Sequence, residues 1–183
     1  LDLKKLSENP ENIKDYSRFY KDGKAHIGVP TPLVRKIAIE NFKEVKNLEN
    51  QQIFALCEQL LATSGIGYRT VAFDWSYRIK KGYQKEDFKI FENWIEKYVD
   101  TWDTCDDLCT HAFGEFIYQF PEFLPRVIGW ARSHNMWFRR ISAVSLIYSL
   151  RKGKYLKEAI EIAKILLQDE EDLVQKGYGW MLK

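Results

Sequence analysis

The chain lacks any stretch of about eighteen apolar residues without charge, so nothing in it reads as a membrane-spanning helix. It lacks an apolar run behind its first residues, Leu1 to Lys5, where a secretory leader would carry one. Cysteine is scarce and odd in number: Cys57, Cys105 and Cys109 exclude a disulfide framework and fit a reducing, cytoplasmic setting. Period-two alternation of apolar and polar residues is absent, which argues against strands. Net charge is small, +2, and neither demands nor excludes nucleic acid; what matters is where Lys and Arg collect. Gly65-Ile66-Gly67 follows a helical segment rather than a strand, so it is no dinucleotide loop. Cys105 and Cys109 stand one helical turn apart with His111 close by. No second ligand pair at zinc-finger spacing accompanies them, so they read as buried thiols, with no metal and no cofactor expected.

What remains is a chain of 183 residues, 45% apolar and 30% charged, expected to fold as one domain over 1–183. Helical periodicity dominates. The spacing predicts helices over 11–22, 31–46, 51–64, 68–81, 85–99, 104–120, 121–133, 137–152, 155–168 and 171–182. Thr31-Pro32 reads as an N-cap followed by proline at the first helical position. Gly23, Gly28, Gly65, Gly67, Gly82, Pro121 and Gly153 punctuate the segments. Short connections imply antiparallel neighbours.

A repeat is legible. Tyr68-Arg69-Thr70-Val71-Ala72 is similar to Arg139-Arg140-Ile141-Ser142-Ala143, and each helix ends in a basic pair and glycine, Lys80-Lys81-Gly82 and Arg151-Lys152-Gly153. Gln175-Lys176-Gly177 opens a third copy, and Thr104-Cys105-Asp106 stands between the first two. The equivalent positions Arg69, Asp106, Arg140 and Lys176 are 37, 34 and 36 residues apart. Two helices per period of this length mark a HEAT-like solenoid, an all-α superhelix of helix pairs in which equivalent residues form a column across the concave face. Three cations in the column suit a phosphate backbone; the lone carboxylate, Asp106, does not.

A helix start at Trp102-Asp103-Thr104-Cys105-Asp106-Asp107 explains some of the acids, since Asp103 or Thr104 can cap and acids favour a first turn. Asp106 is left over and is the candidate for chemistry. Aromatic residues reach 15%, with six tryptophans, generous for core packing alone. Trp137 precedes Arg140 by three residues and Trp180 follows Lys176 by four, so each shares a helix face with a cation. Aromatic faces beside a cationic groove suit base stacking or contact with a charged ligand.

With these segments in view, the chain resembles the AlkD-like DNA alkylation repair family. The likeness is carried, in order, by Gly28-Val29-Pro30-Thr31-Pro32-Leu33-Val34-Arg35-Lys36, Trp102-Asp103-Thr104-Cys105-Asp106, Asn135-Met136-Trp137-Phe138-Arg139-Arg140 and Val174-Gln175-Lys176-Gly177-Tyr178-Gly179-Trp180. The resemblance implies a monofunctional alkylpurine DNA glycosylase, a hydrolase that cuts the N-glycosidic bond of 3-methyladenine and 7-methylguanine lesions. It places Asp106 at the catalytic aspartate and Trp102 and Trp180 at tryptophans flanking the lesion's deoxyribose. Arg140 falls at the arginine on the neighbouring phosphate, and Tyr20 at an N-terminal tyrosine that touches DNA. With Arg69, Arg139 and Lys176 as further DNA contacts, the implied partner is double-stranded DNA bearing alkylated bases, bound by a monomer. Family members continue with another helical pair beyond the position of Trp180, so a C-terminal pair is expected to be missing here. Two other uses of a helical groove compete: a non-catalytic DNA-binding protein and a protein-interaction scaffold.

Overall fold

Local side-chain chemistry overrides helical periodicity near the N-terminus. In the computed structural model, which describes residues 3–21, 27–63 and 67–183, the helix expected over 11–22 does not form. A short helix α1 (Leu3–Glu8) is followed by a 3-10 turn Pro10–Asn12, a two-residue strand β1 (Lys14–Asp15) and a second 3-10 turn Ser17–Phe19. The Asn9 side chain accepts from the Glu11 amide at 3.1 Å, and Asp15 Oδ1 accepts from the Ser17 amide at 2.8 Å. Such bonds offer the backbone a turn in place of a helix. β1 pairs antiparallel with β2 (Ile27–Gly28), Lys14 opposite Gly28. Gly23, Gly65 and the expected helix end at Asp22 lie outside the described residues.

Among the described residues the rest is helical, as the periodicity implies, and the chain divides into two compact units, Leu1–Arg78 and Ile79–Lys183. In the first, α2 (Thr31–Val45) and α3 (Asn50–Ala62) both pack on α4 (Tyr68–Arg78). Thr31 is not the cap expected of it. Pro30 holds the cap position and Pro32 the first turn, so the helix starts on restricted backbone rather than on a side-chain bond. Asp74 of α4 is buried between Arg35 and Arg78, and Trp75 Nε1 donates to the Ala38 carbonyl at 2.9 Å.

The second unit contains α5 (Phe88–Tyr98), α6 (Trp102–Thr110), α7 (Ala112–Gln119), α8 (Leu124–Trp130), α9 (Met136–Val144), α10 (Leu146–Leu150), α11 (Leu156–Leu166) and α12 (Asp172–Met181). Two rows can be traced. α6 packs on α9 and α9 on α12, while α8 packs on α11; α8 joins α9, and α11 joins α12, to close each pair. This pairing is the HEAT-like repeat, and it sets Asp106, Arg140 and Lys176 on three successive neighbouring helices.

The helix expected over 104–120 is broken at His111, whose backbone turns to φ −125°, ψ −94°. Thr110 Oγ1 donates to the Asp106 carbonyl at 2.7 Å and His111 Nδ1 lies 3.0 Å from the Asp107 carbonyl, so side chains occupy the carbonyls that a continuing helix would use. The segment 137–152 is interrupted once, at Ser145, and α10 is followed at Gly153 by a left-handed φ of 71°.

Part of the aromatic richness is core. Phe88, Phe91, Phe113, Phe116 and Trp130 form one cluster, with the Phe88 and Phe123 rings stacked at 4.2 Å. Each of these rings contributes about 1.5–3 kcal/mol by burial, and well-oriented pairs about 1 kcal/mol more. Trp75, Trp94 and Trp130 are buried; Trp102 and Trp137 are half-buried and Trp180 is exposed. Gly114 of α7 is closely hemmed in by α6 and α10: a Cβ there would lie 2.3 Å from the Cys109 carbonyl oxygen and 2.8 Å from Tyr148 Cβ. Gly114→Ala is therefore expected to destabilise the protein by about 1–3 kcal/mol or more through overpacking. A thermal melt indistinguishable from wild type would show that the packing there has slack.

Candidate functional site: a buried arginine holding a half-open carboxylate

The site begins with the start of α6. Thr101 is the cap, and it forms a reciprocal box with Thr104: the Thr101 amide donates to Thr104 Oγ1 at 3.3 Å, and the two hydroxyls lie 2.9 Å apart. Neither Asp103 nor Thr104 caps, contrary to the expectation from sequence. Asp103 is simply a first-turn acid, favoured by the helix dipole. Asp106, one turn further in, is thus not needed by the helix start.

Asp106 is bound instead by Arg140 of α9. Arg140 Nη2 donates to both carboxylate oxygens at 2.8 Å and Nε donates to Oδ1 at 3.1 Å. Arg140 Nη1 donates to the Leu173 carbonyl in the first turn of α12. One guanidinium therefore ties α6, α9 and α12 together. Its planar fork matches a carboxylate edge, which lysine cannot do. The exposures are unequal: the arginine side chain is 5% exposed, the aspartate side chain 19%. The cation is sealed in, and the anion keeps a flank open.

Burial pushes the Asp106 carboxyl above the ordinary aspartate range. The Arg140 charge and hydrogen bonds pull it down, Asp103 adds a small upward push, and a hydrogen bond to Cys105 lowers it slightly. Beneath it lie Cys105 and Cys109, both buried and unbridged. Burial, then Cys105, pushes the Cys109 thiol well up, so it stays protonated and inert. Among the described residues no three His, Cys, Asp or Glu side chains gather into a metal-holding group.

The other candidates fall into three sets. Trp102 opens α6 one turn before Asp106, and exposed Trp180 closes α12 one turn after Lys176. Lys176 is exposed and pairs with Asp172 at 2.9 Å. A surface pair of this kind is worth well under about 1 kcal/mol, so a phosphate can displace it. Arg139, expected on DNA, is committed inside the protein. It pairs with Asp169 at 2.6 Å and donates to the Ser133 and His134 carbonyls, fastening the loop ahead of α9 to the loop ahead of α12. Tyr20 and Arg69 belong to the N-terminal unit, where both are half-buried.

Sequence reasoning missed the ion pair itself. It read Asp106 as an anomaly in a cationic column and Arg140 as a cation facing outward. The available signal was their spacing of 34 residues, one repeat, which places the two on neighbouring helices. It also missed the Leu173 carbonyl, which no side-chain pattern could show.

A family model described as DNA alkylation repair enzyme matches residues 2–183. The chain belongs to that DNA alkylation repair enzyme family. A solved structure described as a predicted DNA alkylation repair enzyme from Enterococcus faecalis has the same fold, with a TM-score of 0.73, 19% identity, and 84% of this chain matched to 71% of that one. No curated protein matches. Family membership ties the chain to DNA alkylation repair. Among the described residues no helix is long and apolar enough to cross a membrane.

For this repair-family chain, the raised carboxyl of Asp106 has a signed consequence for stability. A carboxyl whose folded value lies above its unfolded one holds its proton more tightly in the fold. Its ionisation costs stability, a cost absent below the unfolded value and fully present above the folded one. Asp106→Asn escapes that cost but leaves the more deeply buried Arg140 without its counter-charge, so it should melt below wild type at neutral pH. Arg140→Ala should lose about 3 kcal/mol there, because a desolvated carboxylate keeps no counter-charge, and should recover part of the loss as pH falls and Asp106 takes up its proton. Thermal melts of the three proteins across pH 3–8 check this; an Asp106→Asn protein that melts above wild type at pH 7 would contradict it.

Proposed function

We propose that the chain is a monofunctional DNA glycosylase that hydrolyses the N-glycosidic bond of cationic alkylated purines, 3-methyladenine and 7-methylguanine, in duplex DNA. The observation that carries this reading is the Asp106 carboxylate, fixed by a bidentate arginine and open on one flank. An alkylated purine already bears positive charge and leaves readily. Breaking its bond builds oxocarbenium character on the sugar, and a preorganised carboxylate stabilises that charge and orients the attacking water. Arg140 holds the carboxylate still, so no reorganisation is needed at the moment of reaction. Trp102 and Trp180 offer aromatic faces to the cationic sugar. Since the donors of Arg140 are engaged by Asp106 and Leu173, the exposed ammonium of Lys176 is assigned the phosphate contact.

The test is single-turnover release of 7-methylguanine from a duplex. Asp106→Asn should slow release by about a hundredfold or more while duplex affinity holds or rises, because the lost charge acts in the transition state. The acidic limb of the wild-type rate profile should lie above the ordinary aspartate range, since the carboxylate must be ionised to act and its raised value delays ionisation. Release by Asp106→Asn at the wild-type rate would end the catalytic assignment, and duplex binding without release by wild type would favour a non-catalytic DNA-binding protein.

Lys176→Ala should weaken duplex binding without sequence preference and reduce the slope of log affinity against log salt by about one. An unchanged slope would mean that this lysine is only a solvated surface charge.

A further inference from the structure

Gly177 sits in the interior of α12, where glycine is disfavoured relative to alanine. Its backbone is not left-handed, so conformational freedom does not explain it. Space does. A Cβ at this position would lie 3.1 Å from Arg140 Cγ, 3.4 Å from Arg140 Nη1 and 3.4 Å from Val144 Cγ2. The first of these is tighter than ordinary contact, and Arg140 has little freedom to yield. Its far end is fastened to Asp106 on one side and to the Leu173 carbonyl on the other. Leu173 precedes Gly177 by one helical turn, so the missing side chain and the accepting carbonyl belong to the same stretch of helix surface. Gly179, two residues on, meets nothing within 4 Å and provides a comparison within the same helix.

We propose that Gly177 is a positioning residue for the Asp106–Arg140 pair: the absent side chain lets α12 lie directly against Arg140, so that the Leu173 carbonyl and Asp106 grip the guanidinium from two sides. The inference rests on the reading that Asp106 is the group acting on DNA. An alanine at 177 pushes either the arginine or the helix by a few tenths of an ångström. Either movement loosens the fork from the carboxylate. The charged and titratable groups bearing on Asp106 are Arg140 from α9 and Asp103, Cys105 and Cys109 from its own helix. Of these, Arg140 supplies the main downward pull, so loosening it lets the carboxyl rise further.

The experiment compares Gly177→Ala with Gly179→Ala in the full chain by thermal melting, by NMR titration of the Asp106 carboxyl and by single-turnover release of 7-methylguanine. Gly179→Ala should match wild type in titration and release and melt no lower. Gly177→Ala should titrate at higher pH and release base about tenfold more slowly or worse, as small displacements of reacting groups do. The second comparison places Gly177→Ala in an Arg140→Ala background, where the tight neighbour is gone and only the ordinary contact with Val144 is left; there alanine should be tolerated or should raise the melting temperature. Two outcomes overturn the proposal: a wild-type titration midpoint in Gly177→Ala, or the same loss of stability from alanine at 177 whether or not Arg140 is present. If wild type releases no base, the functional reading fails alone, and the titration and the Arg140→Ala comparison still decide the role of Gly177.

Discussion

The site depends on one constraint: a guanidinium that is buried must be paired on every side that water cannot reach. Arg140 meets this by taking both oxygens of Asp106 and the carbonyl of Leu173. Each partner lies on a different helix, so satisfying one side chain fixes α6, α9 and α12 relative to each other. The carboxylate is the weaker member. Burial works against its charge, and Arg140 only partly offsets that. Such an arrangement does not maximise stability. Its product is a carboxylate held in one orientation with a flank uncovered, the property that an electrostatic catalyst requires.

A second layer supports the first. Arg139, beside Arg140 in sequence, is bound to a different set of partners, Asp169 and two loop carbonyls. Asp169 also accepts from the Glu171 amide at 3.0 Å, immediately ahead of α12. The adjacent arginines thus divide the work, Arg139 fixing where α12 begins and Arg140 gripping its first turn. Beneath α6, the inert thiols Cys105 and Cys109 fill space beside Asp106.

How much of this was legible in the sequence follows from which interactions are local. Helix content and the repeat spacing were readable, because apolar periodicity is local and the repeat sets similar intervals, 34 and 36 residues, between Asp106, Arg140 and Lys176. The break at His111 was not, because it arises from Thr110 and His111 competing for carbonyls, a choice that periodicity does not register. The stretch 11–22 failed for the same reason, with Asn9 and Asp15 as the competing side chains. Candidate residues were named from likeness and column position. Their directions were not readable: Arg139 and Arg140 are neighbours of one type, and only packing shows that both turn inward. Trp180 and Lys176 stay at the surface of α12.

The bond from Arg140 to the Leu173 carbonyl makes the integrity of the site and the fraying of α12 a single equilibrium. The first turn of a short helix ordinarily opens and closes at little cost. Here the first turn cannot open without taking the Leu173 carbonyl from Arg140 Nη1, which leaves a buried guanidinium held by Asp106 alone. Brief local openings of α12 therefore count as time during which the Asp106 site is gripped from one side only, and exchange protection of the amides around Leu173 to Gly177 becomes a gauge of how often both grips are closed.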